Sequence, residues 1–426
     1  MSAALVSQDR KPAGSRLEVL DSIRGVAAVV VVIHHCLLTQ PAFNDYFFST
    51  WETDPASFMQ WVLFRTPLRI VWDGYEAVTL FYVLSGLVLA LPWIQGRPPA
   101  YSVYAIKRVC RIYLPYLVAI GIAATLSGMQ LFRAPIDGLS DWVNTMNWSH
   151  PVTTWMLADH VLMIGHYNSL DGVIHSLIWE MRVSLIFPLL IWPIVRWRLW
   201  GAFGVTAVIT ILICAIQFRY LGASAGLDML ASTPELDVIG KLALEVQWTA
   251  YFAYFFVLGT LLAMHLPLIR RAMAGIAGWR AGAFLVVGLL VFQGHWSRHY
   301  ALQQIMVGLG SAMIIMAALG TGGIANLLRH RILTWLGGIS YSLYLIHVPL
   351  LLASLLLLDD VVPQIVTLLT VPFVSIGMAW LFHVWIVMPS LTLGKTLAER
   401  AIRPRQPVAA MPAGCNHGGN RGHGGA

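Results

Sequence analysis

Charged residues and cysteines are both scarce in this sequence. Lysine, arginine, aspartate and glutamate make up only 11% of the 426 residues, whereas a soluble domain carries about a quarter. The composition therefore excludes a soluble globular protein. The four cysteines lie far apart without a CxxC pair, which excludes a disulfide framework and the ligand spacing of a zinc site; they are Cys36, Cys110, Cys214 and Cys415. We expect no metal centre.

Apolar residues are abundant instead. They make up 58% of the chain, the mean hydropathy is +0.71, and there are 17 tryptophans. These values are typical of a polytopic membrane protein. Windows of about 20 apolar residues predict an all-α membrane bundle of about ten transmembrane helices, near residues 19–39, 75–95, 112–130, 176–195, 201–219, 248–266, 281–294, 302–321, 337–358 and 363–388.

The distribution of charge along the chain predicts its topology. Clusters of arginine and lysine recur after every second span, and most acidic residues lie in the intervening loops. Because cytoplasmic loops carry the excess of basic residues, both termini are expected in the cytoplasm. The chain divides into an N-terminal tail (1–17), a membrane domain (18–395) and a cytoplasmic, Gly-rich disordered tail (396–426). We expect no cleavable signal peptide, and residues 155–165 are expected to form an interfacial or re-entrant segment.

The first predicted span, LDSIRGVAAVVVVIHHC, carries ionisable residues near both ends. An arginine at the middle of a bilayer helix costs roughly 2.5 to 3.5 kcal/mol, so such residues usually serve a site. On a helix, Arg24 and His35 lie within about 20° of one face and roughly 16 Å apart, whereas His34 points about 80° away. The geometry favours His35 as the histidine that shares a polar cavity with Arg24. The alternatives are an Arg24 that reaches the lipid headgroups and a structural His35.

The segment HSLIWEMRVSL places Glu180 and Arg182 in an otherwise apolar helix. Residues two apart do not face each other on a helix, so the two side chains need separate partners. Glu180 is a candidate to orient a histidine or bind a hydroxyl group, and a structural ion pair with another helix is the alternative.

Two further groups are candidates. In KRVCRIYLPYL, Lys107, Arg108 and Arg111 fit either positive-inside topology or a binding site for the phosphates of an acidic cytosolic donor. In ISYSLYLIHVPLL, His347 lies in mid-helix behind a run of serines and tyrosines. Hydrogen-bonded helix packing is the simpler explanation for that histidine.

Five motifs occur in a fixed order along the chain. They are LDSIRGVAAVVVVIHH, LFYVLSGLVLA, KRVCRIYLPYL, HSLIWEMRVSLIFPLL and LGGISYSLYLIHVPLL. Together they resemble the acyltransferase 3 family of integral membrane O-acyltransferases, with its first-helix arginine and histidine, its FFxxSG, RxxRIxP and SLxxE segments and its ISYSLYLxH helix. The resemblance runs from about residue 17 to about residue 395. Val387 stands where the family often has glutamate, and Met181 and Arg182 replace its commoner acidic-glutamine pair.

The resemblance implies transfer of an acyl group, often acetyl, from a cytosolic acyl-coenzyme A to a hydroxyl group. It implies that His35 is the general base, that Arg24 stabilises negative charge on the donor or the oxyanion, and that Glu180 orients the acceptor or the imidazole. Arg108 and Arg111 are expected to bind the donor phosphates. His35 as a covalent acyl carrier is an equally compatible alternative. Candidate substrate-binding residues are Ser85, His175 and His347.

The same resemblance implies a multi-pass protein of the bacterial inner (plasma) membrane. Some members carry a soluble esterase-like domain after the last span, and we expect none here because the sequence leaves no room for it. The expected partners of the protein are the lipid bilayer, the acyl-coenzyme A donor and a carbohydrate acceptor, such as a surface polysaccharide or a lipid-linked sugar. No tightly bound cofactor and no nucleic acid are expected. The rival function is a secondary transporter or exporter of a glycan or small metabolite, since buried Arg, Glu and His residues also occur in ion-coupled carriers.

Overall fold

The computed structural model describes residues 14–48, 54–129, 135–146, 148, 150–166, 169–221, 237–276, 278–294, 300–320, 322–359 and 361–402. These residues form helices and contain no strand, which confirms the predicted all-α polytopic membrane fold. In this part of the chain nine helices are long and apolar enough to cross a membrane: Glu18–Leu38, Gly74–Ile94, Tyr101–Gly128, Ile174–Trp197, Leu199–Tyr220, Val238–Met264, Tyr300–Leu319, Arg331–Leu358 and Gln364–Ala401.

The helices are numbered along the chain. They are α1 (Gly14–Leu38), α2 (Pro41–Phe48), α3 (Phe58–Arg65), α4 (Gly74–Ile94), α5 (Tyr101–Arg108), α6 (Leu114–Gly128), α7 (Thr154–Val161), α8 (Ile174–Trp197), α9 (Leu199–Ile216), α10 (Val238–Met264), α11 (Leu266–Gly275), α12 (Trp279–Phe292), α13 (Tyr300–Leu319), α14 (Gly323–Leu328), α15 (Arg331–Leu358), α16 (Gln364–Phe382) and α17 (Met388–Ile402). A π-helical turn joins α5 to α6, and another joins α16 to α17.

One of the ten predicted spans, 281–294, is shorter than a membrane crossing in the structure. Helix α12 has 14 residues, a length of about 21 Å, against a hydrocarbon core of about 30 Å. The cytoplasmic location of both termini depends on this helix and stays a prediction. At the other end of the chain, α17 continues to Ile402, past the predicted domain boundary at 395, and the Gly-rich residues 403–426 lie outside the described residues.

Glycines bring the central helices into close contact. A Cβ atom at Gly25 of α1 would lie 2.6 Å from the backbone nitrogen of Gly337 on α15. A Cβ atom at Gly86 of α4 would similarly overlap the backbone of Phe256 on α10. Small residues are the usual means by which membrane helices approach each other this closely. Helices α1 and α15 stay together beyond this crossing, because His35 of α1 also contacts His347 of α15.

The chain between α6 and α8 folds back into the bundle. Ser140 donates a hydrogen bond to the carbonyl of Leu38 at the end of α1. Farther along, the Val173 carbonyl accepts a hydrogen bond from Tyr344, which lies 13 residues, or about 20 Å, into α15. The segment therefore reaches the middle of the bundle before α8 begins. Helix α7, which overlaps the predicted 155–165 segment, is held against α6 by a hydrogen bond from Tyr116 to the His160 carbonyl.

Candidate functional site

A small cavity that contains the side chains of an arginine and a glutamate lies between helices α1, α4, α8 and α15. Its volume is about 30 Å³, room for a few water molecules. Its lining residues are Arg24, Val78, Phe81, Tyr82, Ser176, Leu177, Glu180, Ser340, Tyr341 and Tyr344. Two of the three predicted catalytic residues, Arg24 and Glu180, thus face one space although 156 positions separate them in the sequence.

Ser85 holds the carboxylate of Glu180 in this cavity. Its hydroxyl donates a hydrogen bond of 2.9 Å to Glu180 Oε1. One residue later, Gly86 allows the backbones of α4 and α10 to touch, which fixes the depth of Ser85 in the bundle. On the neighbouring turn of α4, Tyr82 donates to the Ser176 carbonyl and ties α4 to α8. Ser85, predicted to bind substrate, is therefore bonded to Glu180 in this structure.

Arg24 is the cation of the cavity. In the part of the chain that the structure describes, no hydrogen bond or close ion pair ends on its guanidinium. Asp21, three residues earlier, interacts with it electrostatically. A half-buried guanidinium with unused donors suits an anionic ligand or a carbonyl oxygen.

The predicted donor-binding arginines lie near the same cavity but differ in their surroundings. Arg108 is buried and donates a hydrogen bond of 3.0 Å from Nη2 to Ser184 Oγ. Arg111 is exposed and interacts electrostatically with Arg24, Arg108 and Glu180. The three arginines therefore concentrate positive charge on one side of the cavity. Arg111 has the most exposed side chain of the three.

The histidines lie farther along α1. His35 Nδ1 is 2.8 Å from the Val31 carbonyl oxygen and 3.3 Å from Nε2 of His347. The ring of Trp142 also contacts His35, with ring centroids 5.4 Å apart. His34 points elsewhere, since its Nδ1 donates to the Trp72 carbonyl at 2.8 Å and its ring stacks on that of Trp72. The two adjacent histidines thus have different hydrogen-bond partners, as expected for a step of about 100°, although their rings touch edge to face with centroids 5.1 Å apart.

Tyr344 connects the cavity to the histidine pair. We expected Arg24 and His35 to share one cavity, but His35 is not among the lining residues. The two are separated by eleven residues of α1, or about 16 Å. Tyr344 lines the cavity, its hydroxyl is bonded to Ser176, and its ring centroid is 5.9 Å from that of His347. The Tyr344 side chain therefore lies between the cavity that Arg24 lines and the His35–His347 pair.

Two other residues of the α8 motif face away from the cavity. His175 lies against Trp179, with ring centroids 5.5 Å apart, and does not line the cavity. A single residue step turns it about 100° from Ser176. Arg182 forms the structural ion pair, with its Nη1 2.9 Å from Oε2 of Glu245 on α10. Its Nη2 also donates to the carbonyls of residues 163 and 164, so it fastens the end of the α7 segment.

The sequence reasoning missed three buried acidic side chains: Asp73 and Glu76, which lie near Arg69, and Asp171. Arg69 Nε is 2.6 Å from Asp73 Oδ1, and the same guanidinium is 3.9 Å from Glu76. The i, i+4 spacing of Arg69 and Asp73 was an available signal. Asp171 is fully buried beside Tyr344, and burial raises the pKa of its carboxyl to about 8. Nothing in the local sequence distinguishes Asp171 from an ordinary loop aspartate.

Comparison with known proteins gave one match. The family model of the acyltransferase 3 group, described as an acyltransferase domain, matches residues 17–388. That range includes the cavity, the arginines and both members of the histidine pair. Neither the curated proteins nor the solved structures searched gave a match.

Proposed function

We propose that this chain, which belongs to the acyltransferase 3 family, transfers an acetyl group from acetyl-coenzyme A to a hydroxyl group of a carbohydrate. Family membership and the apolar helices establish an integral, multi-pass membrane acyltransferase. The donor, the acyl group and the acceptor are the proposal. We place the protein in the bacterial plasma membrane, where exported or lipid-linked sugars are available as acceptors.

The arginines support an acyl-coenzyme A donor. Coenzyme A carries phosphates at one end and the thioester at the other, joined by the flexible pantetheine arm. Exposed Arg111 is suited to the phosphates, and Arg24 to a polar group of the arm or to a phosphate. We expect the arm to lie beside Tyr341 and Tyr344, which line the cavity.

The distance between Arg24 and His35 assigns them different parts of the donor. About 16 Å of helix separates them, so both cannot contact the same thioester carbonyl. An extended pantetheine arm can span this distance. We therefore assign Arg24 to donor binding and His35 to the reacting carbon, in place of the expectation that Arg24 also stabilises the oxyanion.

The single observation that carries the proposal is the hydrogen bonding of His35. The Val31 carbonyl is only an acceptor, so the proton of neutral His35 resides on Nδ1 and Nε2 keeps a lone pair. In the proposed reaction, His35 Nε2 removes the proton of the acceptor hydroxyl while the hydroxyl oxygen bonds to the thioester carbonyl carbon. The carbon–sulfur bond then breaks, and the departing coenzyme A thiolate takes the proton from Nε2. The same lone pair would also suit covalent acyl transfer through His35.

The test is acetyl transfer in membrane vesicles that contain the full chain. Vesicles receive labelled acetyl-coenzyme A and glycans extracted from the host, and the label in glycan is counted. Arg24→Ala should raise the KM for acetyl-coenzyme A about 10- to 100-fold, the range for a lost charged hydrogen bond. Arg280→Ala removes an equal charge from an exposed position beside Trp279 and should behave like the native protein.

Two results would contradict the proposal. If glycan is labelled equally in vesicles with and without the protein, acetyl-coenzyme A and glycan are not shown to be its donor and acceptor, and the proposal fails. Movement of unmodified glycan across the vesicle membrane without acetyl-coenzyme A would instead support the transporter.

A further inference from the structure

We propose that His347 is the positioning residue of His35, and that the two form a histidine pair in which a neutral imidazole takes the place that a carboxylate holds in a catalytic triad. The inference rests on the proposed function. It assigns to His347 a role different from the substrate binding that the sequence suggested.

The packing of two parallel helices brings the histidines together. Gly25 and Gly337 allow α1 and α15 to touch. Each helix then continues for ten residues, about 15 Å, to its histidine. Because the spacing is the same on both helices, His35 and His347 meet at the same level, with ring centroids 5.0 Å apart. A shift of either helix by one residue would separate them.

The hydrogen bonds fix the proton positions on both rings. His347 Nδ1 lies 3.0 Å and 2.9 Å from the carbonyl oxygens of Leu343 and Tyr344, so in the neutral ring it carries the proton. His347 Nε2 is therefore a hydrogen-bond acceptor. It lies 3.3 Å from His35 Nδ1, whose proton is shared between the Val31 carbonyl and this nitrogen. The arrangement leaves Nε2 of His35 as the basic nitrogen.

The pair explains how His35 can carry a positive charge during the reaction. When Nε2 of His35 takes the proton of the substrate hydroxyl, the positive charge spreads over the ring to Nδ1–H. The two groups that accept a hydrogen bond from Nδ1–H, the Val31 carbonyl and the neutral imidazole of His347, stabilise this charge. In the described part of the chain no acidic side chain forms an ion pair or hydrogen bond with either histidine. Glu180, the expected orienting residue, is bonded to Ser85 instead. His347 is 1% exposed, so its acceptor nitrogen is held away from bulk water.

Two substitutions at His347 separate positioning from packing. In His347→Asn, the side-chain amide can replace Nδ1–H but leaves nothing at the place of Nε2. In His347→Gln, the longer side chain can present its carbonyl oxygen there as an acceptor. We expect His347→Asn to lower kcat about 10²-fold with little change in the KM for acetyl-coenzyme A. His347→Gln should recover at least a tenth of the native kcat.

The matched control is His265→Asn. His265 makes the same bond to the carbonyl four residues earlier, at 2.9 Å from Leu261, but lies at the end of α10 away from His35. This variant should keep the native kcat. If His347→Asn and His347→Gln keep the native kcat alike, or lose it alike, the positioning role is wrong.

A second readout does not depend on transfer activity. Diethyl pyrocarbonate reacts with the unprotonated nitrogen of histidine, and mass spectrometry of the full chain gives its rate at His35. His347→Asn should slow this modification several-fold, whereas His347→Gln and His265→Asn should not. Equal rates in all variants would overturn the histidine pair even in a protein that transfers no acetyl group. If the native protein transfers no acetyl group but the modification rates at His35 differ between the variants as expected, only the proposed function is overturned and the histidine pair stands.

Discussion

Replacing Gly25 by alanine tests whether the contact between α1 and α15 sets the geometry of the histidine pair. The new Cβ atom would lie 2.6 Å from the backbone nitrogen of Gly337, so the helices must separate by about 0.8 Å to reach an ordinary contact of 3.4 Å. The same movement at His35 would lengthen the 3.3 Å contact to His347 to about 4 Å, beyond hydrogen-bond distance.

The expected losses follow from this displacement. Overpacking of this kind destabilises a protein by about 1 to 3 kcal/mol, and a misplacement of roughly 1 Å lowers catalysis about 10²-fold. We therefore expect Gly25→Ala to lower both the thermal unfolding temperature in detergent and the kcat for acetyl transfer. Gly337→Ala, whose Cβ would overlap the Asp21 carbonyl, should act in the same way from the partner helix, away from Arg24.

The control is the neighbouring glycine on α15. A Cβ atom at Gly338 meets no atom within 4 Å. Gly338→Ala should therefore keep the native kcat and add up to about 1 kcal/mol of stability from helix propensity. Native kcat in Gly25→Ala and Gly337→Ala would refute the idea that this contact sets the distance between the histidines.

Three further outcomes are expected. Because burial raises the pKa of Asp171 to about 8, against about 3.9 in an unfolded chain, stability should fall as the pH rises from about 4 to 8. Asp171→Asn should thus unfold at a higher temperature than the native protein at pH 8 but not at pH 4, and an equal difference in unfolding temperature at both pH values would contradict this. Arg182→Gln should lower the unfolding temperature because Glu245 loses its cationic partner and keeps only the hydrogen bond from Trp179, and adding Glu245→Gln should restore part of the loss; a purely additive double variant would argue against the ion pair. Arg111→Ala should raise the KM for acetyl-coenzyme A without changing the unfolding temperature, whereas Arg108→Ala should lower that temperature too; an unchanged KM in Arg111→Ala would remove it from the donor site.

Apolar length and helical periodicity predicted the membrane spans and the directions in which single side chains point. Apolar length alone located the nine long helices, because the bilayer demands about 20 apolar residues for each crossing. The rotation of 100° per residue predicted that His34 and His35 point in different directions, and they have different hydrogen-bond partners. The rule that residues two apart do not face each other agreed with separate partners for Glu180 and Arg182. These inferences needed only one helix at a time.

Contacts between helices could not be predicted in the same way. The meeting of His35 and His347 depends on the register of α1 against α15, which two glycines 312 residues apart determine. The position of Tyr344 between the cavity and the histidine pair depends on how α15 packs against α1, and the periodicity of a single helix does not give that. The buried state of Asp171 depends on how the turn at residues 169–173, just before α8, packs beside Tyr344 of α15.

The most direct test of the proposed mechanism is the rate of labelled acetyl transfer by His35→Asn, compared with His34→Asn at equal amounts of folded protein. Asparagine at position 35 can keep the bond to the Val31 carbonyl while removing the basic Nε2. We predict a kcat at least about 10²-fold below native for His35→Asn and a kcat within a few-fold of native for His34→Asn. A native kcat in His35→Asn would contradict the assignment of His35 as the residue that accepts the acceptor's proton.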